Sequence, residues 1–186
     1  MANFITLSGL FLSLVSCFFA IQKNIQMSIT LLIASSICDL FDGVVARKIE
    51  QTKVEKRFGI YLDTVVDIVS FGITPAIIVF STAGGVWYKV LIYCFYVICA
   101  AIRLAYFNTT ANPDKPTEYY QGLPVTCIAL ILPIVLLFHS GLASIITLVI
   151  VGTFYILNIK MPKLGGIWYV LFPVMAVILI ILWWCL

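Results

Sequence analysis

Charge is what this sequence has least of. Its 186 residues hold 11 Lys and Arg, 8 Asp and Glu and one His, so 10% are charged while 63% are hydrophobic. A soluble domain carries roughly 45–50% apolar and about 25% charged residues. A chain this poor in polar side chains cannot cover itself, which excludes a water-soluble globule and a disordered tail. The net charge of +3 is too small for a nucleic-acid module. No basic segment precedes Phe4 and no small-residue cleavage site follows Ile21, so 4–21 suits a first spanning helix better than a cleaved leader. Cys17, Cys38, Cys94, Cys99, Cys127 and Cys185 all fall inside apolar runs and none shows CxxC spacing. That argues against a disulfide framework or thiolate metal site and for packing residues. The single His139 falls at a turn and is given no role.

What is present is long apolar sequence. Tyr119 to Ile159 runs 41 residues without Lys, Arg, Asp or Glu. At 1.5 Å per residue that is about 60 Å, twice the ~30 Å hydrocarbon core of a bilayer, and His139-Ser140-Gly141 near its middle suits the turn of a helical hairpin. Barrel strands need short alternating segments, which these continuous runs are not. The expectation is an all-α polytopic membrane protein, one membrane-embedded domain over 1–186. It has about seven transmembrane helices, at 4–21, 25–46, 59–81, 87–107, 120–138, 141–158 and 165–185. Pro173 kinks the last span or splits it into a short re-entrant pair.

The charges orient this bundle. With the N-terminus cytoplasmic, the inner segments hold Arg47, Lys48, Lys53, Lys56, Arg57, Arg103, Lys115, Lys160 and Lys163, the outer ones only Lys23 and Lys89. That asymmetry follows the positive-inside rule. All eight acidic residues fall at or near the same cytoplasmic face. Trp87, Tyr88, Trp168 and Tyr169 sit near span ends and read as an interface belt, and Lys160 and Lys163 as anchors.

Four of the acids share a pattern. Asp39 and Asp42 end the second span, three apart, with Gly43 and Arg47 continuing the stripe from Asp39. Gly59, Asp63 and Asp67 begin the third at i, i+4, i+8. Residues three and four apart share a helix face, and the connecting segment returns the chain on the same side, so the two stripes are expected to face each other across antiparallel neighbours. Four carboxylates crowded at a low-dielectric boundary repel, and each costs several kcal/mol to bury. One or two hard divalent cations, Mg²⁺ or Mn²⁺, relieve this most simply; a metal pair about 4 Å apart is the usual apparatus for displacement at phosphorus. Gly43, Ala46 and Gly59 remove bulk so that a large ligand can reach the backbones, and Arg47 offers a permanent cation to a phosphate. Two readings compete with this one. The glycines can serve close helix packing, and the acids can mark a cation or proton path in a small ion-coupled transporter, though no span carries acids to the other face.

The pattern D-x2-D-G-x2-A-R…G-x3-D-x3-D resembles the signature of the CDP-alcohol phosphotransferase family, and Asp39, Asp42, Gly43, Ala46, Arg47, Gly59, Asp63 and Asp67 fill all eight positions. Eleven residues (48–58) separate Arg47 from Gly59, about three more than the family pattern. Val69-Ser70-Phe71-Gly72-Ile73-Thr74-Pro75-Ala76, Arg103-Leu-Ala-Tyr-Phe-Asn108 and Gly122-Leu123-Pro124 resemble segments of the serine-accepting members, and Asn3-x-x-Thr6 is a weaker likeness. The resemblance covers about residues 3–163. It implies a six-helix family core plus a C-terminal span. It also implies transfer of a phosphatidyl group from CDP-diacylglycerol to the hydroxyl of L-serine, giving phosphatidylserine and CMP. Asp39, Asp42, Asp63 and Asp67 would then bind the metals, with Asp67 also the base that activates the hydroxyl, and Gly43, Ala46, Arg47 and Gly59 would surround the CDP. Other acceptors (glycerol 3-phosphate, inositol phosphate) or an ether-lipid CDP donor remain open within the family, and the family suggests a homodimer. Arg103, at the cytoplasmic end of the fourth span, is at a depth to meet serine's carboxylate, with Asn108 placed to add a hydrogen bond; the competing reading is an anchor that snorkels to lipid phosphates. A chain of this length suits a prokaryotic cell membrane, with the site at its cytoplasmic face.

Overall fold

The computed structural model describes residues 2–46, 48–110, 119–157, 159–162 and 168–185. Seven helices follow one another through them: α1 (Ala2–Ile21), α2 (Ile25–Ala46), α3 (Lys53–Ala83), α4 (Trp87–Thr110), α5 (Val125–Leu136), α6 (Gly141–Ile156) and α7 (Trp168–Cys185). The first four are long and apolar enough to cross a membrane, and the last three are shorter apolar helices. The order and number match the sequence reading. This is an integral membrane protein, an all-helical bundle with one small addition. Tyr119–Gln121 (β1) and Lys160–Pro162 (β2) pair antiparallel, Tyr120 opposite Met161.

Two boundaries differ from expectation, each for a local reason. Helix α3 starts at Lys53, not at residue 59, because Thr52 and Glu55 form a capping box: Thr52 Oγ1 accepts from the Glu55 N–H and the Glu55 carboxylate accepts from the Thr52 N–H. A capping box satisfies two orphan donors at once and starts a helix without help from an apolar run. At 31 residues α3 is about 46 Å long, so its charged first turns stand outside a ~30 Å hydrocarbon core. Helix α5 starts at Val125, not at residue 120. Gly122 has φ 75°, and a Cβ there would meet the Tyr155 carbonyl oxygen at 3.0 Å, so this turn needs glycine. Pro124 then cannot donate into a preceding helical turn. The backbone of Tyr119–Gln121 finds its partners in β2 instead. The open question at Pro173 resolves to one continuous helix.

Helix α1 organises the first half of the bundle. Thr6, Gly9, Ser13, Ser16 and Ala20 recur every three or four residues and form a seam that packs on α2 and α3. Small residues let membrane helices approach closely, and hydroxyls tie them across the seam. A Cβ on Gly9 would lie 3.3 Å from Cys38 Cβ. Ser13 Oγ, fully buried, lies 2.7 Å from Ser35 Oγ on α2 and 2.8 Å from Ser70 Oγ on α3. Ser16 Oγ donates to the Ser28 carbonyl at 2.7 Å. The opposite stripe of α1, with Phe4, Phe11, Phe18 and Ile21, is exposed, as a lipid-facing surface is.

The two lysines set apart by the charge count both cap the far end of α3. Lys23 Nζ donates to the Ser81 carbonyl, and Lys89 Nζ to the Ala83 carbonyl at 2.6 Å. A helix C-terminus presents unpaired carbonyls and partial negative charge, which an ammonium satisfies. These two exceptions to the asymmetry therefore have a local cause.

Candidate active site

Helix α2 carries Asp39, Asp42, Gly43 and Ala46 on its final turns, and α3 carries Gly59, Asp63 and Asp67. The i, i+4 arithmetic holds: one carboxylate oxygen from each of Asp39, Asp63 and Asp67 lies within 4.8 Å of the others. Asp67 is 8% exposed, and its Oδ1 has no hydrogen-bond partner among the described residues. A buried carboxylate oxygen left in that state costs free energy unless a ligand or cation meets it. Three clustered carboxylates with no nitrogen or sulfur donor fit a hard divalent cation.

Asp42 stands beside this trio rather than in it. Its Oδ2 accepts from Thr6 Oγ1 on α1 at 2.6 Å, and it is 6% exposed. The α2 and α3 backbones approach one another chiefly beyond Asp67, so at the aspartates the two helices stand apart and leave space on either side.

Two cavities fill that space. One, of about 550 Å³, is lined by Asn3, Asp42, Gly43, Ala46, Gly59 and Asp63. The other, of about 290 Å³, is lined by Asp39, Asp67, Arg103, Phe107, Thr126 and Tyr169 among others. They share Asp42, Gly43 and Asp63 as a common wall. The surroundings of the two glycines argue against the close-packing reading. A Cβ on Gly43 would meet nothing within 4 Å, and one on Gly59 would meet only Asn3 Oδ1, at 3.4 Å. Neither glycine is a close helix–helix contact; both face the larger cavity.

The segment after Asp67 explains how that residue is held. Ile68–Ile73 makes one turn of π-helix, a feature that gathers at functional sites. Pro75 has no N–H to offer the Phe71 carbonyl four residues earlier, and Tyr96 Oη donates to that carbonyl instead, at 2.6 Å. Thr74 Oγ1 donates to the Val69 carbonyl at 2.9 Å, and Ser70 meets Ser13. Ser70, Phe71 and Gly72 are buried and lie outside both cavities' walls. Ser70 and Phe71 instead line a narrow void with Thr6, Asp39 and Asp42, so this stretch backs the aspartates rather than walling either cavity.

The expected acceptor residues separate. Arg103 is 7% exposed, lines the smaller cavity with Asp67, and lies over the Phe107 ring with its guanidinium carbon 5.2 Å from the centroid. That burial does not suit a side chain snorkelling to the membrane surface. Asn108 lies outside both cavity walls; its Nδ2 donates to Thr64 Oγ1 and braces α4 against α3. Arg47 and Lys163 lie outside the described residues. Of the expected interface belt, Trp87 and Tyr88 are exposed, but Tyr169 turns onto the wall of the smaller cavity. Sequence reasoning gave Thr6 only as part of a weak likeness, without its contact to Asp42, and passed over Thr126. Thr6 was visible in the hydroxyl and small-residue repeat of α1; Thr126 had no signal.

A family model described as CDP-alcohol phosphatidyltransferase matches residues 1–159. The CDP-diacylglycerol–serine O-phosphatidyltransferase of Helicobacter pylori (strain J99) is similar to this chain, 31% identical over 172 residues, which is 87% of this chain and 71% of that protein. The enzyme of the same name from Saccharomyces cerevisiae is 33% identical over 157 residues, 76% of this chain and 55% of its own. The archaetidylserine synthase of Methanothermobacter thermautotrophicus is 29% identical over 154 residues, 81% of this chain and 64% of its own.

Proposed function

This chain belongs to the CDP-alcohol phosphatidyltransferase family, and from that premise we propose that it transfers the phosphatidyl group of CDP-diacylglycerol to the hydroxyl of L-serine, releasing CMP. The reading rests on the family, on the names of the similar proteins, and on one geometric observation. The buried Asp67 carboxylate lies on a cavity wall with the buried Arg103, so a proton acceptor and a cation for an amino-acid carboxylate face the same small space.

In the proposed arrangement the larger cavity takes the CDP part of the donor. Gly43, Ala46 and Gly59 leave room there for the nucleotide against the helix backbones, with Arg47 as the cation for its phosphates. Asp39, Asp63 and Asp67, with Asp42 beside them, would hold the Mg²⁺ or Mn²⁺ ions. Bound divalent cations supply charge neutralisation for the diphosphate and for the departing CMP. The phosphorus to be attacked then sits at the shared wall of the two cavities.

The smaller cavity takes serine. Arg103 binds the carboxylate and so aims the side-chain hydroxyl toward Asp67. Asp67 accepts the hydroxyl proton as the serine Oγ–P bond forms and the bond from phosphorus to the bridging oxygen of CMP breaks. The CMP phosphate leaves with the electron pair of that bond, and the proton passes from Asp67 to solvent. Apolar neighbours such as Leu40, Leu104 and Phe172 limit water, which would otherwise hydrolyse the donor. The positive-inside asymmetry supports a site at the cytoplasmic face.

The test is CMP release by the purified protein in detergent, with Mg²⁺ or Mn²⁺, CDP-diacylglycerol and one acceptor at a time. Release that requires both serine and the metal supports the proposal. Release with glycerol 3-phosphate or inositol phosphate but not serine overturns the acceptor while keeping the family chemistry.

A further inference from the structure

Helix α7 lies beyond the residues that the family match covers, which end at 159, yet it reaches the site. Its height is fixed at the far end. Gln26 Nε2 donates to the Trp183 carbonyl at 2.6 Å, Trp184 Nε1 to Thr30 Oγ1 at 3.1 Å, and Trp183 Nε1 to the Pro133 carbonyl at 3.2 Å. These bonds set α7 antiparallel to α2. Moving fourteen residues from Trp183 back to Tyr169, and fourteen forward from Gln26 to Leu40, covers about 21 Å on each helix. Tyr169 therefore stands level with Leu40, one turn from Gly43, and both line the smaller cavity. Phe172, one helical turn on, lines it as well.

That cavity is small. At about 290 Å³ it is just below the usual range of roughly 300–1,000 Å³ for ligand sites, and part of it borders the carboxylate cluster. We propose that Tyr169, supplied by the helix outside the family-matched region, is an acceptor-selecting residue: its ring walls the compartment that Asp67 and Arg103 also line, so that a short hydroxyl acceptor is favoured to bring its oxygen to Asp67 while Arg103 holds its carboxylate. The inference rests on the serine reading above and adds to it the residue that sets acceptor size. A pocket wall that meets an apolar group discriminates one methylene by about 10–200-fold.

The test compares L-serine with L-homoserine, one methylene longer, as acceptors for the purified full chain, reading CMP release at varied acceptor and varied donor. Wild type should prefer serine by at least tenfold in kcat/KM. Tyr169→Ala should lose at least tenfold of that preference and raise the serine KM, with the CDP-diacylglycerol KM within about twofold of wild type. Tyr169→Phe, which keeps the ring, should retain the preference. Unchanged selectivity in Tyr169→Ala, a change in donor KM instead of acceptor KM, or a wild type indifferent to the extra methylene each overturns the inference. Should Tyr169→Ala fail to fold, Tyr169→Trp carries the test. Overfilling should raise the serine KM at least tenfold, and an unchanged serine KM overturns the inference. A wild type that turns over with neither acceptor overturns the serine reading itself, which a wild type active on serine with unmoved selectivity in the variants does not.

Discussion

Replacing Thr6 by Val tests whether α1 helps to shape the site. The two side chains are nearly isosteric, so the substitution exchanges one hydroxyl for a methyl and little else. The hydroxyl donates to Asp42 Oδ2 at 2.6 Å between residues that are 7% and 6% exposed. A hydrogen bond to a charged group contributes about 1.5–3 kcal/mol, and removing the donor leaves the buried oxygen unsatisfied. If that energy holds Asp42 in the orientation that lines both cavities, its loss corresponds to a factor of about 10 to 100 in divalent-cation affinity, at 1.4 kcal/mol per tenfold. Changes to the hydrogen-bond partners of metal-binding carboxylates typically have effects of that size. The assay is Mn²⁺ binding to the purified protein by electron paramagnetic resonance, beside a Mn²⁺ titration of CMP release. Thr6→Val should shift both midpoints upward by that factor, and Thr6→Ser, which keeps the hydroxyl, should restore them. A Thr6→Val protein that binds and uses Mn²⁺ like the wild type would refute the reasoning.

Three further outcomes follow from the same geometry. Gly43→Ala meets open space inside a helix, where Ala is favoured over Gly by about 0.5–1 kcal/mol; it should melt slightly higher than wild type while raising the CDP-diacylglycerol KM, and a variant with unchanged donor KM would remove Gly43 from the nucleotide cavity. Asp67→Asn should abolish turnover far more than donor binding, measured by CMP release against equilibrium binding of the liponucleotide; near-normal turnover would remove Asp67 as the base. Tyr96→Phe leaves the buried Phe71 carbonyl without the donor that replaces the missing Pro75 N–H, a loss of about 1–3 kcal/mol, so its melting temperature in detergent should fall by several degrees; a melting curve equal to wild type would contradict that role.

How far the sequence carried this account depends on the kind of signal. The helices of the first half were legible because their apolar runs are long and end at charges. The carboxylate trio was legible because i, i+4 spacing on two antiparallel helices leaves few other places for Asp39, Asp63 and Asp67. The start of α3 was misplaced since attention to apolar onset hid the Thr52/Glu55 capping box. The start of α5 was misplaced because a two-stranded pairing between residues some forty apart has no local signature. The offset of Asp42 from the trio depends on a hydroxyl on another helix, which spacing along α2 alone cannot reveal. Asn108 and Tyr169 each fall elsewhere than expected, one bracing α4 against α3 and the other on a cavity wall, for a similar reason. Near the end of a helix, a rotation of about 100° per residue decides between cavity and surface, and tertiary packing sets that rotation. The Ser70–Pro75 segment shows how a resemblance can locate a functional neighbourhood without saying what its residues touch.

The central claim is that this carboxylate site joins serine to a phosphatidyl group. Incubating the purified protein with CDP-diacylglycerol and carbon-labelled L-serine, then counting label in the chloroform-extracted lipid, tests it most directly. Label is expected in a lipid that co-migrates with phosphatidylserine. That label should be lost with a chelator, restored by Mg²⁺ or Mn²⁺, and absent with Asp67→Asn. Well-folded protein with metal present that leaves all label in the aqueous phase, while still releasing CMP with another alcohol, would contradict it.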